Sequence, residues 1–246
     1  MTTMIPIISD TQLPYHHRRA VNSLFNWIAD QASKISEVHQ IGDFYDFTAV
    51  SRWVKGTPAE NGKSLQKELD TGREFNTLLN KAWSGKKTRI MGNHDDRIRN
   101  YLEQHASGLA GLAALDYDTL TEGEEFGWET KPQPYRIAPN TVSVHGIAVR
   151  KYSGYTAHAH LERFDSNVVH GHTHRAGIVY RTIGDRTRWG MECGHLMSVD
   201  KASYVMNPDW QMGFAILHVD GNEVAPQFVR VKNDGSFLWG GRKWMP

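Results

Sequence analysis

The sequence predicts an α/β protein whose strands run parallel through the first two thirds and antiparallel beyond, so that its sheets are mixed. Three observations predict this. Short apolar runs end one after another on polar residues, amphipathic helices separate the first of them, and from Gly177 onward helical spacing gives way to short strands and turn sequences. With 246 residues, 39% of them hydrophobic and 22% charged, the chain can bury a sizeable core and is expected to fold as a single domain over 1–246. The same composition excludes disordered, collagen-like and coiled-coil chains.

Residues 4–8 form an apolar run that reaches Asp10, the pattern of a buried strand delivering a polar group at its C-terminal end. Pro14 is placed at a helix start, and Val21, Leu24, Phe25, Ile28 and Ala32 follow at the spacing of one buried helical face. Residues 38–41 give a second strand ending in Gly42-Asp43, which completes a βαβ unit with parallel strands. Parallel strands bring their C-terminal ends to one sheet edge, where such folds gather ligands. Leu65, Leu69, Phe75, Leu79 and Ala82 mark a second helix, and residues 88–91 a third strand ending in Gly92-Asn93-His94-Asp95. Residues 116–129 carry six acids and no Lys or Arg, and Lys-Pro-Gln-Pro follows; an acidic surface insertion without fixed structure is expected over about 116–134. Residues 141–144 predict a β-branched strand ending at His145, and 168–169 a shorter one ending at His170-Gly171-His172-Thr173-His174. Beyond these, 178–183, 214–219, 224–231 and 236–239 read as antiparallel strands joined by turns such as Asp220-Gly221-Asn222 and Asn233-Asp234-Gly235.

Charge and cysteine content narrow the function classes. Twenty-eight basic against 27 acidic residues give a net charge of +1, too little for a whole-chain field that would draw the protein onto nucleic acid or a membrane. Any such contact must be local, and residues 150–190 supply one candidate. Seven Arg or Lys stand there against three acids, interleaved with Tyr152, Tyr155, Tyr180 and Trp189, a composition that suits either a polyanion groove or an ordinary solvated β-surface. The single cysteine, Cys193, forms no internal disulfide and leaves zinc–thiolate sites without enough ligands. No run approaches the roughly 18 apolar residues of a membrane span, and the N-terminal segment reads as a strand rather than a leader; a soluble, cytoplasmic protein is expected.

The excess lies in histidine, with thirteen in the chain. Asp10, Asp43, Asn93, His145, His172 and His174 are oxygen and imidazole donors suited to divalent first-row metals. They exceed the four ligands of one structural zinc site, whereas two adjacent ions sharing a bridging carboxylate would employ them all. His172 and His174 are two apart and can face the same side of an extended segment. His39, His105, His158, His160, His195 and His218 are expected to be hydrogen-bonded structural residues.

In order, the blocks Asp10-Thr11-Gln12, Gly42-Asp43-Phe44-Tyr45-Asp46, Gly92-Asn93-His94-Asp95, His145-Gly146 and Gly171-His172-Thr173-His174 resemble the five motifs of the calcineurin-like metallophosphoesterases. The resemblance spans residues 10–174. It implies a β-sandwich flanked by helices with metals at the strand ends, the antiparallel C-terminal third forming the second sheet. It also implies that Asp43 bridges two ions, that Asp10 and His174 hold the first, and that Asn93, His145 and His172 hold the second. By the same resemblance His94 is not a ligand but stands near the leaving group, with Asp46 orienting it. A carboxylate behind an imidazole fixes its tautomer and raises its basicity, which keeps a proton available near neutral pH.

The chain departs from the family pattern in two places. Gln12 stands where the first motif normally ends in histidine, and its neutral amide oxygen favours Mn²⁺ or Mg²⁺ over Zn²⁺ in the first site, with Fe²⁺ a further option. His16 and His17 are alternative imidazoles for that position. Asp46 is followed by Phe47 where the protein-phosphatase branch has arginine, whereas Arg97 stands where that branch has a phosphate-contacting one. Arg97 is therefore a candidate substrate contact or a surface residue of the next helix. The resulting expectation is a dinuclear metal-dependent phosphoester hydrolase, a phosphodiesterase or nuclease. The alternatives are a phosphomonoesterase of small metabolites and a weakly catalytic metal-binding scaffold.

Overall fold

The computed structural model describes residues 2–57, 60–201 and 208–246. Strand β1 (Thr3–Ile8) sets the layering through its alternation: Met4 and Ile8 join one apolar cluster, Ile5 and Ile7 another on the opposite face. Strand β2 (Val38–Ile41) pairs parallel with it and β3 (Lys87–Ile90) parallel with β2, and both are buried throughout, so both faces of this sheet must be covered. On one side lie helices α1 (Arg18–Asp30) and α2 (Leu65–Ala82), which contribute Val21, Leu24, Trp27, Ile28, Phe75 and Leu79 to the first cluster. On the other lies a second sheet, formed by β5 (Tyr135–Ala138), β6 (Thr141–Val144), β7 (Asn167–His170), β8 (Ala176–Ile183) and β9 (Arg186–Cys193) in the order β5-β6-β7-β9-β8.

Ile5, Ile7, Ile41 and Ile90 meet Val169, Trp189, Met191 and Cys193 between the sheets. Each such side chain contributes about 1.5–3 kcal/mol on burial, so this layer is a main source of cohesion. His39 adds a polar tie, its ring nitrogens 2.8 Å from Thr88 Oγ1 of its own sheet and 2.8 Å from Ser143 Oγ of the other. Helix α5 (Tyr155–Arg163) covers the outer face of the second sheet, where Leu161 packs with Val142, Val144 and Val168. The architecture is therefore α/β: two mixed sheets face to face, flanked by helices.

Three expectations need correction. The C-terminal strands do not by themselves form the second sheet: β10 (Gly213–Asp220) pairs antiparallel with β1, and β11 (Glu223–Arg230) with β10, so both extend the first sheet. The second sheet is built mainly on parallel pairing of β6, β7 and β9, with β5 and β8 antiparallel at its edges. Within residues 236–239, β12 (Phe237–Trp239) is antiparallel as expected, pairing with β13 (Arg242–Trp244) and bridged at Phe237 to Val231. Pro14 does not open α1; residues 12–13 run beside residues 43–45, and the helix starts at Arg18 with the His17 side chain accepting from the Ala20 N–H at 3.1 Å.

The acidic segment is not structureless either. It forms α4 (Tyr117–Leu120) and the edge strand β4 (Trp128–Thr130), which pairs parallel with β3. Tyr117 and Trp128 are buried, and Asp118 pairs with the fully buried Arg89 at 2.5 Å. Acid content alone misled here because one of those acids neutralises a core arginine.

Glu68 on α2 is buried, with Oε1 accepting from the Ala49 N–H at 3.0 Å and Oε2 unpartnered. Burial pushes its carboxyl up to about 7, with the nearby Asp46 charge adding to the effect. A carboxyl raised on folding costs stability as pH rises from its unfolded value, near 4.5, through 7. Urea unfolding should therefore show Glu68→Gln gaining on the parent across that interval, by up to about 3 kcal/mol, and no such gain below it. A difference independent of pH would mean that the carboxyl is solvated.

Candidate metal centre

The C-terminal ends of β1, β2, β3, β6 and β7 converge on one edge of the sandwich, and each hands the chain to a tight loop. Among the described residues eight non-glycine positions have positive φ, and five of them are Asp10, Gln12, Asp43, His172 and His174, with φ from 45° to 71°. Left-handed backbone at such residues costs of order 1 kcal/mol each and persists where the surroundings demand it. Here it turns five candidate ligands toward a common point.

Asp43 lies at that point and is nearly fully buried. Its Oδ1 accepts from the His94 backbone N–H at 2.8 Å, and its Oδ2 stands 3.2 Å from His145 Nε2. His145 Nδ1 donates to the Ile41 carbonyl at 2.9 Å, which leaves Nε2 facing Asp43 and, at 3.2 Å, Asn93 Oδ1. A lone pair facing two oxygens is repulsive, so this nitrogen calls for a proton or a metal cation between them. Burial alone would lower the His145 pKa, but the Asp43 charge and hydrogen bond raise it to about 10. Burial also works against the Asp43 carboxylate, yet the His145 and His94 charges hold it well below the usual range. Ligand atoms of Asp43, His145 and His172 all lie within 4.8 Å of one another, close enough to share one ion.

Asp10 forms the neighbouring half of the centre. Its Oδ2 accepts from the Ser9 hydroxyl at 2.5 Å and the His172 N–H at 3.0 Å, while Oδ1, fully buried, has no hydrogen-bond partner among the described residues. His174 Nε2 stands 3.3 Å from that oxygen and 3.2 Å from Gln12 Nε2. An unsatisfied buried carboxylate oxygen beside an imidazole is the environment a cation would complete. The Asp43, His145 and His172 group can hold a divalent ion, and Asp10 with His174 adds further donors beside it.

His94 approaches from a third side. Its Nδ1 lies 2.7 Å from Asp46 Oδ1 and its Nε2 3.8 Å from Asp43 Oδ2. Burial lowers the His94 pKa, but the Asp43 charge and the Asp46 hydrogen bond outweigh it, and the net direction is upward. Asp46 is held by the Thr48 hydroxyl and by Arg97, whose Nη1 donates to the Asp46 carbonyl at 2.6 Å and lies 3.2 Å from its carboxylate. Arg97 Nη2 is 3.1 Å from His94 Nε2. Arginine only donates, so that contact holds while Nε2 is unprotonated, and protonation of His94 releases the guanidinium. Arg97, the first residue of α3 (Arg97–His105), is therefore no free surface residue: it braces the dyad.

The other sequence candidates fall elsewhere. His17 caps α1 and its Nε2 is 3.2 Å from the Asn233 carbonyl oxygen; His16 packs edge-on to Phe75. Gln12, not either histidine, stands beside His174. In the basic stretch Arg186 and Arg188 pair with Asp165 at 3.2 and 2.9 Å, Arg175 Nη1 donates to the Arg150 carbonyl, and Trp189 is buried with Nε1 donating to the Val224 carbonyl. Of its aromatics Tyr152, Tyr155 and Tyr180 are exposed. His170 and His160 stack at 4.5 Å, inside the protein, with His160 Nε2 accepting from the Ile147 N–H. His195 packs 5.2 Å from His174, and neither ring nitrogen has a hydrogen-bond partner among the described residues.

Asp95 carries a role that its place in the third block did not disclose. Fully buried, it accepts from the Gly92 N–H at 2.8 Å, the Tyr45 N–H at 3.1 Å and the Tyr117 hydroxyl at 3.2 Å, clamping the loops after β2 and β3 together. Gly92 permits their approach: a Cβ there would lie 2.1 Å from Asp43 Oδ1.

With this geometry in view, comparison with known proteins adds lineage. No family model matches the chain. It is 35% identical over 256 positions to the Gene 54 protein of Mycobacterium phage L5 and 34% identical over 256 positions to that of Mycobacterium phage D29, with 99% of both chains covered in each case. The chain belongs to the Gene 54 protein family. Among solved structures, this Gene 54 family member is similar to a Vps29 single mutant from Entamoeba histolytica, with a TM-score of 0.48 and 13% identity over 99% of this chain and 97% of that one.

Manganese added to the metal-free protein should raise its melting temperature through linkage, by the equivalent of about 2.7 kcal/mol at a hundredfold excess over Kd. Asp43→Asn and Gly92→Ala should both abolish the shift, the first by removing the shared carboxylate and the second by displacing it. An undiminished shift in Asp43→Asn would place the metal somewhere else.

Proposed function

We propose that this chain is a metal-dependent phosphoester hydrolase of the calcineurin-like kind, a phosphodiesterase or nuclease. Asp43 would be shared by two divalent ions, Asp10, Gln12 and His174 completing the first site and Asn93, His145 and His172 the second. Mn²⁺ suits this mixed oxygen and imidazole set, and Mg²⁺, Fe²⁺ and Zn²⁺ are alternatives. When bound, such a pair supplies Lewis-acid charge stabilisation and an acidified water for in-line displacement at phosphorus.

The observation that carries the catalytic reading is the Asp46–His94 dyad standing against Asp43. A protein that only held metal would have no use for an imidazole poised there with its tautomer fixed. Asp46 keeps the proton on Nδ1, so Nε2 is the atom that faces the centre. In the charged form Nε2–H donates a proton to the departing alkoxide, and Asp46 stabilises the positive ring until that transfer. Arg97, freed from Nε2 by the same protonation, remains close enough to meet the negative phosphate oxygens. A second reading, a metal-holding scaffold with little turnover, draws on Gln12, which replaces an imidazole with a neutral and weaker donor.

With Mn²⁺ present, bis-p-nitrophenyl phosphate and an oligonucleotide should both be hydrolysed, and p-nitrophenyl phosphate more slowly. His94→Ala should keep the metal-induced thermal shift but lose about 10²–10⁴-fold on the oligonucleotide, whose alkoxide leaving group needs a proton. The loss on the nitrophenyl diester should be far smaller, because nitrophenolate leaves unprotonated. Equal losses on the two would remove the general-acid role, and no turnover of any of the three by the parent would favour the scaffold.

A further inference from the structure

A cleft of about 410 Å³ borders the site at Asn93 and Arg97 and extends away from it. Asn93 and Arg97 line it together with Arg52, Trp53, Lys55 and Tyr101, and its one acid, Glu60, accepts from the Gly56 N–H at 2.7 Å. The volume falls in the range of small-ligand sites, about 300–1,000 Å³. Two elements build it, and both are anchored in the dyad. The chain from Asp46 through Thr48, whose hydroxyl holds the Asp46 carboxylate, continues directly into Arg52 and Trp53. Helix α3 begins with Arg97, and Tyr101 follows four residues later on the same face, about 6 Å along the axis. The cleft therefore opens from the side where His94 and Arg97 stand.

The lining has the chemistry of a platform for a flat, anionic ligand. Trp53 is 71% exposed, a high value for the largest apolar side chain, and Tyr101 is 36% exposed. The Arg52 guanidinium lies 4.7 Å from the Trp53 ring centroid and the Lys55 ammonium 6.0 Å from that of Tyr101, so each aromatic is accompanied by a cation. Among the described residues neither Arg52 nor Lys55 forms an ion pair, in contrast to Arg186 and Arg188 of the 150–190 stretch. Exposed aromatics alternating with free cations are how proteins hold single-stranded nucleic acid, the bases stacking and the backbone meeting the charges.

We propose that this cleft binds a nucleoside on the leaving-group side of the phosphodiester, its base stacked on Trp53 or Tyr101 and its further phosphates met by Arg52 and Lys55. The substrate class is then single-stranded nucleic acid. The placement rests on the phosphodiesterase reading above, but the binding itself is tested without turnover. Anisotropy titration of a fluorescein-labelled single-stranded tetrathymidylate in EDTA, with the full chain, reads it directly. Trp53→Ala should weaken binding about tenfold or more and Trp53→Phe should restore most of it, since stacking needs only an aromatic face. Arg52→Ala should lower the slope of log Kd against log salt by about one. Trp53→Ala binding within a factor of two of the parent, or no binding by the parent, would overturn the proposal. Metal-dependent turnover of bis-p-nitrophenyl phosphate without oligonucleotide binding would leave the hydrolase reading intact and remove this one. Trp53-dependent binding without any turnover would do the reverse.

Discussion

The buried Asp43 carboxylate is the constraint to which the rest of the structure answers. Removing an ionised group from water costs several kcal/mol unless positive charge surrounds it, and Asp43 is ringed by His145, His94 and the backbone N–H of His94. Those partners come from both sheets: His145 follows β6, whereas Asp43 and His94 follow β2 and β3. The two layers can bring them together only because parallel strands end on a shared edge and because Gly42 and Gly92 let the loops close. A Cβ at Gly42 would lie 2.4 Å from His145 Nδ1, and φ there is +92°.

That dependence explains which parts of the molecule were legible in the sequence. Strands β1, β6 and β7 announce themselves as apolar or β-branched runs ending on a polar residue, β2 and β3 by the Gly42-Asp43 and Gly92-Asn93 pairs that follow them, and α1 and α2 by their buried faces. Their strand-end residues are the ones the structure brings together. The pairing of β10 with β1 was not legible, because a half-buried antiparallel strand looks the same in either sheet of a sandwich. Nor was the order of the acidic segment, in which the decisive residues are the isolated Trp128 and Tyr117 and an Arg89 that lies 29 residues before the Asp118 it pairs with. Strands β5, β9 and β13 are too short or too charged to show a period.

At the site itself, donor types and order were readable, but second-layer roles were not. Arg97 was ambiguous between phosphate contact and surface, and only its hydrogen bonds to Asp46 and His94 fix it as a brace of the dyad. Asp95 looked like the tail of a motif and proves to be the clamp between two loops. Gln12 stands beside His174 whereas His16 and His17 lie elsewhere, an arrangement that depends on residues 12–13 running alongside 43–45 instead of entering the helix. Sequence gives the inventory of ligands; the path of the backbone decides which of them meet.

Everything turns on whether the cluster around Asp43 holds cations. Anomalous diffraction at the manganese edge, from crystals of the full chain grown with Mn²⁺, tests this most directly. The account predicts two peaks flanking the Asp43 carboxylate, one against Asp10 and His174, the other against Asn93, His145 and His172. No peak at Asp43, or manganese bound only at a distant surface group, would contradict it.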